Sequence, residues 1–229
     1  ASMRGDAASL SVALLERGEE IHPGEFPDTP IEAAMRTQIH GPKIASGDGS
    51  ELFDLRIGED INVLVGCGLG GTSLINANVS IEADPRVFDD EAWPAGLVDD
   101  DLALGYRRAR AMLRPARYPG DRLKWPGLNK MRAMAKAGDA LGVAATPLDI
   151  NVNFEPGHNP AGIWQPKCNV CGDCCSGCNT GAKNTTLMNY LPDAEAHGAE
   201  IFCGARVRWL ERLDGEGWSV GYDPIGLGR

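Results

Sequence analysis

A short apolar run that ends in a carboxylate, followed further along by a cluster of four glycines, constrains this chain more than any other feature. Residues 10–15 read as a buried strand, and Glu16 stands at its end in the stretch Val12-Ala13-Leu14-Leu15-Glu16-Arg17-Gly18. A dinucleotide-binding fold presents a carboxylate to a ribose hydroxyl in this way. The second segment is Gly66-Cys67-Gly68-Leu69-Gly70-Gly71-Thr72-Ser73-Leu74-Ile75-Asn76. Gly66, Gly68, Gly70 and Gly71 let backbone N–H groups approach a ligand with no Cβ in the way. A cofactor lying against the main chain is the expectation.

The phosphate-binding glycine fingerprint that precedes such a carboxylate by roughly 20 residues has no room ahead of Val12. The chain is therefore expected to be truncated at its N-terminus, and the abrupt end at Gly226-Leu227-Gly228-Arg229 suggests the same of the C-terminus. With 229 residues, 43% hydrophobic and 24% charged, the composition is that of a globular protein with room for a sizeable core. A net charge of −10 disfavours nucleic acid and anionic membranes as partners. The Arg107, Arg108, Arg110, Arg114 and Arg117 cluster reads as a solvated helix face. No apolar run approaches the roughly 20 residues needed to span a bilayer. Clustered cysteines lean towards a reducing, cytoplasmic compartment.

Residues 21–30 read as a Pro-containing loop and residues 52–61 as extended chain. Asp99, Asp100 and Asp101 offer an N-cap to a helix carrying Leu102, Tyr106, Ala109 and Leu113 and ended by Pro115. A second helix is predicted over 129–141, stopped by Gly142. A third begins near Thr185 and reaches His197 and Gly198, kinked or divided by Pro192. Residues 199–203, 207–213 and 218–222 read as strands, the last two joined by a hairpin-type turn at 214–217. There is no internal repeat.

Five of the seven cysteines fall in Cys168-Asn169-Val170-Cys171-Gly172-Asp173-Cys174-Cys175-Ser176-Gly177-Cys178. Cys168, Cys171, Cys174 and Cys178 reproduce the spacing by which bacterial ferredoxins ligate an iron-sulfur cluster. A ferredoxin run ends in Cys-Pro, whereas Asn179 follows Cys178 here and no second run exists. Structural zinc on four thiolates, disulfide-paired thiols and unpartnered thiols are the alternatives.

From about Ser11 to Tyr222 these residues resemble the glucose-methanol-choline (GMC) oxidoreductases, within the branch that includes bacterial cholesterol oxidases. Glu16-Arg17-Gly18 is similar to the family's adenosine-ribose carboxylate motif, and 66–76 to its Gly-x-Gly-x-Gly-Gly-x-Ser-x-x-Asn signature along the flavin. The resemblance implies that Gly70, Gly71, Ser73, Asn76 and Ala77 lie near the isoalloxazine or pyrophosphate. It also implies that the Val207 main chain meets the adenine, and that 181–187 returns the chain to the FAD domain. The fold class implied is α/β with α+β elements: a truncated Rossmann-like FAD-binding domain of GMC type with a partly helical substrate-side excursion. Its parts are expected at 1–83, 84–180 and 181–229, the middle one carrying the cysteines.

The implied activity is oxidation of an alcohol, sterol-like or otherwise bulky and apolar, by hydride transfer to FAD, with an electron acceptor that need not be oxygen. In the family a late His with a neighbouring His or Asn takes the alcohol proton. None of His22, His40, His158 and His197 occupies a matching motif; His197 reads as a helix C-terminal residue and His158 as a loop residue. Trp93, Trp125 and Trp164 read as core or cap residues. The chain alone is expected to be catalytically incompetent. An iron-sulfur electron-transfer module and a non-catalytic partial domain are the other readings.

Overall fold

The computed structural model describes residues 10–94, 99–120 and 125–226. It is a mixed α/β arrangement of small sheets. The opening strand is shorter than its apolar run: β1 covers Val12–Leu15. The expected loop follows and leads into a helix that is not among the expected elements. This helix, α1 (Pro30–Met35), has Thr29 as N-cap and Glu32 closing a capping box, with Pro at its first position. The chain then forms β2 (Thr37–Gly41), β3 (Ile44–Ser46), β4 (Phe53–Ile57) and β5 (Asn62–Gly66). Their sheet has the order β3-β2-β4-β5, with β2 parallel to β4 and the other pairs antiparallel. The run read as extended over 52–61 is thus one strand of this sheet plus the turn into the next. A 3₁₀ turn over Gly71–Leu74 follows the glycine segment.

Helix α2 (Asp99–Leu113) ends where Pro115 requires, and Arg114 leaves it at a φ of 45°. The capping role expected of Asp99 and Asp100 lies outside the described side chains. Short β6 (Ala116–Arg117), α3 (Asn129–Leu141), β7 (Asp149–Ile150), β8 (Gly157–His158) and β9 (Trp164–Gln165) complete the middle of the chain. Gly142 caps α3 as expected. His158 belongs to the β8–β9 pair instead of a loop, and its ring meets Trp164 edge-on. Trp164 is exposed, Trp125 packs in the core against Tyr118 and Phe154, and Trp93 caps a turn by donating to the Val87 carbonyl.

The predicted third helix is divided, but not at Pro192. A 3₁₀ turn (Thr186–Met188) gives way at Asn189 to α4 (Tyr190–Ala196). Pro192 sits in the first turn of α4, where no intrahelical partner for its missing N–H is needed. His197 is the C-cap, as expected. Then come β10 (Ala199–Phe202), β11 (Ala205–Arg212) and β12 (Trp218–Pro224). β1 pairs with β10 in parallel, and β11 with β12 antiparallel. Among the described residues no helix is long and apolar enough to cross a membrane. The arginine-rich end of α2 is solvated, with Arg110 bridging Glu82 and Arg117 near Asp149.

Two small cores result. One gathers Ile21, Phe26, Leu52, Phe53, Leu74 and Ile75 beneath the glycine segment. The other gathers Val152, Phe154 and Ala182, with Cys168 and Cys178 packed on it. A buried cation joins the surrounding segments. Lys183, 2% exposed, donates from Nζ to the carbonyls of Leu74 (2.9 Å), Asn76 (2.8 Å) and Cys174 (2.8 Å). Three donors meet three acceptors, which is what an ammonium needs when it is taken out of water. Asn179 adds a second clamp, accepting from the N–H groups of Gly24 and Phe26 and donating to the Phe26 carbonyl.

Two outcomes follow for stability. Thr29→Ala is expected to cost about 1 kcal/mol in urea denaturation through loss of the α1 cap. Burial pulls the Lys183 ammonium down to about 8 from an ordinary 10.5. Between those values the unfolded chain binds more protons than the folded one, so the contribution of Lys183 to stability rises with pH. Lys183→Met leaves three carbonyls without their donor and is expected to cost about 3 kcal/mol at neutral pH. Denaturation of both proteins should show the gap between wild type and variant widening from pH 8 to 10.5; a constant or narrowing gap would contradict this.

Candidate functional site

β1 delivers Glu16 to the junction of two sheets. The Glu16 N–H donates to the Phe202 carbonyl and its own carbonyl accepts from Ala205, so the backbone extends the ladder with β10 and reaches the start of β11. Its carboxylate is equally fixed. Oε1 accepts from the N–H of Gly18 (2.7 Å) and of Gly68 (3.2 Å). A Cβ on Gly18 would lie 2.4 Å from the Gly68 nitrogen, so the two turns touch backbone to backbone only because residue 18 is glycine. The expected carboxylate and the expected glycine run are therefore in direct contact.

Beside them opens a cleft of about 650 Å³ lined by Glu16, Gly66 and Val207, three residues drawn from three distant parts of the sequence. This volume lies within the range of small-molecule sites. Arg17, His40, Arg56, Arg206 and Arg208 also line it. One wall is the polar face of the four-stranded sheet. Strand alternation, with Gln38 opposite Asp54 and His40 opposite Arg56 in parallel register, puts these four on one face while Phe53 packs into the core on the other. Asp54 is fully buried. Its Oδ2 accepts from Arg17 Nη2 (2.6 Å) and from Arg56 Nη2 (2.9 Å) and Nε (3.2 Å), while Oδ1 has no hydrogen-bond partner and lies 3.7 Å from His40 Nε2. Burial pushes the Asp54 carboxyl up, but the two guanidinium groups outweigh it and hold the group below its ordinary value.

The rest of the glycine signature leads away from Gly66. Gly71 adopts a φ of 56° with open space where a Cβ would stand. Ser73 is turned inward: its Oγ donates to the Gly70 carbonyl (2.6 Å) and accepts from the Thr186 N–H (3.0 Å). Thr186 Oγ1 donates to the same Gly70 carbonyl (3.0 Å). Asn76 and Ala77 are exposed. The Asn76 side chain accepts from the Asn78 N–H (3.1 Å), and its carbonyl is one of the three held by Lys183.

The cysteine run is not drawn into a ligand set. All seven cysteines are free thiols. Among the described residues no three or more His, Cys, Asp or Glu side chains come together as a metal-binding group. Cys168 Sγ accepts from the Val170 N–H, and Cys178 Sγ lies 3.3 Å from Thr180 Oγ1. Cys171 and Cys175 are exposed. Burial pushes the Cys168 thiol up. Val170 is held at a φ of 62° between them, a strained conformation for a β-branched residue.

Sequence reasoning missed Arg17, Arg56 and His40 as cleft residues, Asp54 as the buried carboxylate behind them, and Lys183, Asn179 and Thr186 as supports. The alternation of Asp54 and Arg56 along an apolar strand was the available signal for the first group. For Lys183 the sequence carries no signal, because burial of a lysine depends on three distant carbonyls.

The sequence matches a model of the GMC oxidoreductases over residues 57–215. It is 28% identical over 226 residues to a cholesterol oxidase of Mycobacterium tuberculosis, covering 91% of this chain and 37% of that protein. A cholesterol oxidase of Acinetobacter baumannii is 27% identical over 188 residues, covering 75% and 33% of the two chains. An uncharacterised GMC-type oxidoreductase of Mycobacterium tuberculosis is 30% identical over 220 residues, covering 93% and 30%. The chain thus spans about a third of the length of the curated relatives it matches. By this match the chain belongs to the GMC oxidoreductase family, in its cholesterol-oxidase-like branch.

Proposed function

We propose that this chain forms the FAD-holding part of an oxidoreductase that oxidises an alcohol, with a bulky, apolar, sterol-like alcohol as the substrate class. The observation that carries the reading is the convergence of Glu16, Gly66 and Val207 on one cleft. The parallel β1–β10 pair, with its acidic residue at the strand end, supports a Rossmann-like arrangement. The same pair joins the first and last of three parts, 1–83, 84–180 and 181–229, which we take as a flavin-binding unit interrupted by an excursion. The cholesterol oxidases among its relatives support the substrate class.

The residues fit the adenosine half of FAD. Glu16 has one carboxylate oxygen held by two backbone N–H groups, which leaves the other for a ribose hydroxyl. The Val207 backbone would meet the adenine edge. Gly66 lines the cleft and packs directly on the Gly71 backbone, where a Cβ would lie 2.6 Å from the Gly71 carbonyl oxygen, Gly68 gives its N–H to Glu16, and Gly70, Gly71, Asn76 and Ala77 run on towards the flavin ring. Ser73 orients that run by tying Gly70 to Thr186. Bound FAD supplies the hydride acceptor for the alcohol carbon. The four histidines have local roles: His22 lies by Glu20, His40 by Gln38 and Asp54, His158 against Trp164, and His197 at the α4 C-cap. We assign none of them as the base.

Flavin fluorescence titration, with released FAD, iron and sulfide quantified on the anaerobically purified chain, tests this. The expected result is FAD binding without stoichiometric iron or sulfide. Glu16→Gln is expected to weaken binding about tenfold or more, the worth of a charge-assisted hydrogen bond. Added cholesterol should leave the bound flavin oxidised. Failure to bind FAD, or a reducible iron-sulfur spectrum, would overturn the reading.

A further inference from the structure

The cleft contains a conflict that its geometry resolves. Glu16 must offer a carboxylate to a ligand, yet Arg17 is its immediate neighbour and both line the same open space. A guanidinium free to move there would compete for Glu16, since Arg–carboxylate hydrogen bonds are charge-assisted. It does not. Arg17 Nη2 is 2.6 Å from Asp54 Oδ2, and Asp54 is the one fully buried carboxylate of the region, placed on β4 by strand alternation. Arg56, from the same strand, shares that oxygen.

A buried carboxylate is costly to maintain, and an apolar replacement often serves stability as well or better. Asp54 also leaves Oδ1 without a hydrogen-bond partner, so it is not placed for the fullest bonding of its own. What its position does achieve is a division of charge. The cation beside Glu16 is turned towards the sheet, and the Glu16 carboxylate is left to the Gly18 and Gly68 N–H groups and to the cleft.

We propose that Asp54 is a positioning residue of the nucleotide cleft: it sequesters Arg17 from Glu16 and so keeps the Glu16 carboxylate available to ribose hydroxyls. This rests on the reading of the cleft as an adenosine site. Asp54 itself touches no ligand and acts through Arg17.

The test is the ratio of dissociation constants for 2′,3′-dideoxy-ADP and ADP, measured by calorimetry on the full chain. Adenine and phosphate contacts are common to both probes, so the ratio isolates the hydroxyl contact from general damage to the fold. Wild type is expected to prefer ADP by about tenfold. Asp54→Asn, which keeps the shape and removes the charge, should bring the ratio close to one. Adding Arg17→Gln to Asp54→Asn should restore the preference, because the competing cation is gone. Arg17→Gln alone should keep it, and this variant serves the test even if Asp54→Asn does not fold.

The proposal is overturned if Asp54→Asn retains the preference, if the double variant does not regain it, or if Arg17→Gln alone abolishes it. Each of these leaves the adenosine reading standing. Absence of a preference in wild type would remove that reading, and the proposal with it.

Discussion

Lys183 draws three separate stretches of chain onto one buried Nζ. It takes carbonyls from the end of the 3₁₀ turn, from Asn76 and from the cysteine loop, and it does so at 2% exposure. Each of these carbonyls belongs to a segment without long regular structure, where unpaired backbone groups would otherwise need water. The cation lets them be buried together. The glycine signature is thereby held from one side by Lys183, from a second by the Ser73–Thr186–Gly70 bonds, and from a third by Gly68 on Glu16. Little of its shape is left to chance before a ligand arrives, which is the sense in which a site is preorganised.

Electrostatics then differentiates the cleft. Asp54 gathers two guanidinium groups on the sheet face, whereas Glu16 is satisfied by backbone N–H groups alone. The two carboxylates are chemically alike and differ only in placement. One is enclosed on a central strand and serves other side chains; the other stands at a strand end and faces open volume. The cysteine loop contributes by packing: Cys168 and Cys178 lie on the second core, and Asn179 laces the loop to residues 24–26. The residue that breaks the ferredoxin pattern is thus the one that fastens the loop.

What could be read from the sequence was what depends on local pattern. The helix over Asn129–Leu141 and its Gly142 cap, the end of α2 before Pro115, and the final hairpin follow from periodicity and turn chemistry. The α1 helix carries a local signal too, since Thr29-Pro30-Ile31-Glu32 is a capping box with a proline at its first position, but its six residues are too few to show helical periodicity. The β2–β3 hairpin carries little alternation because Gln38 and His40 serve the polar face of the sheet. At the site, Glu16 and the glycines announce themselves through spacing. Arg17, Asp54 and Lys183 do not, because their roles arise only when remote segments meet.

A crystal structure of the chain with ADP would show directly whether the cleft is an adenosine site. The nucleotide is expected between Glu16 and the Val207 backbone, with ribose hydroxyls within hydrogen-bond distance of the Glu16 carboxylate and Arg17 still on Asp54. A nucleotide bound elsewhere, or a ribose that leaves Glu16 untouched, would contradict it.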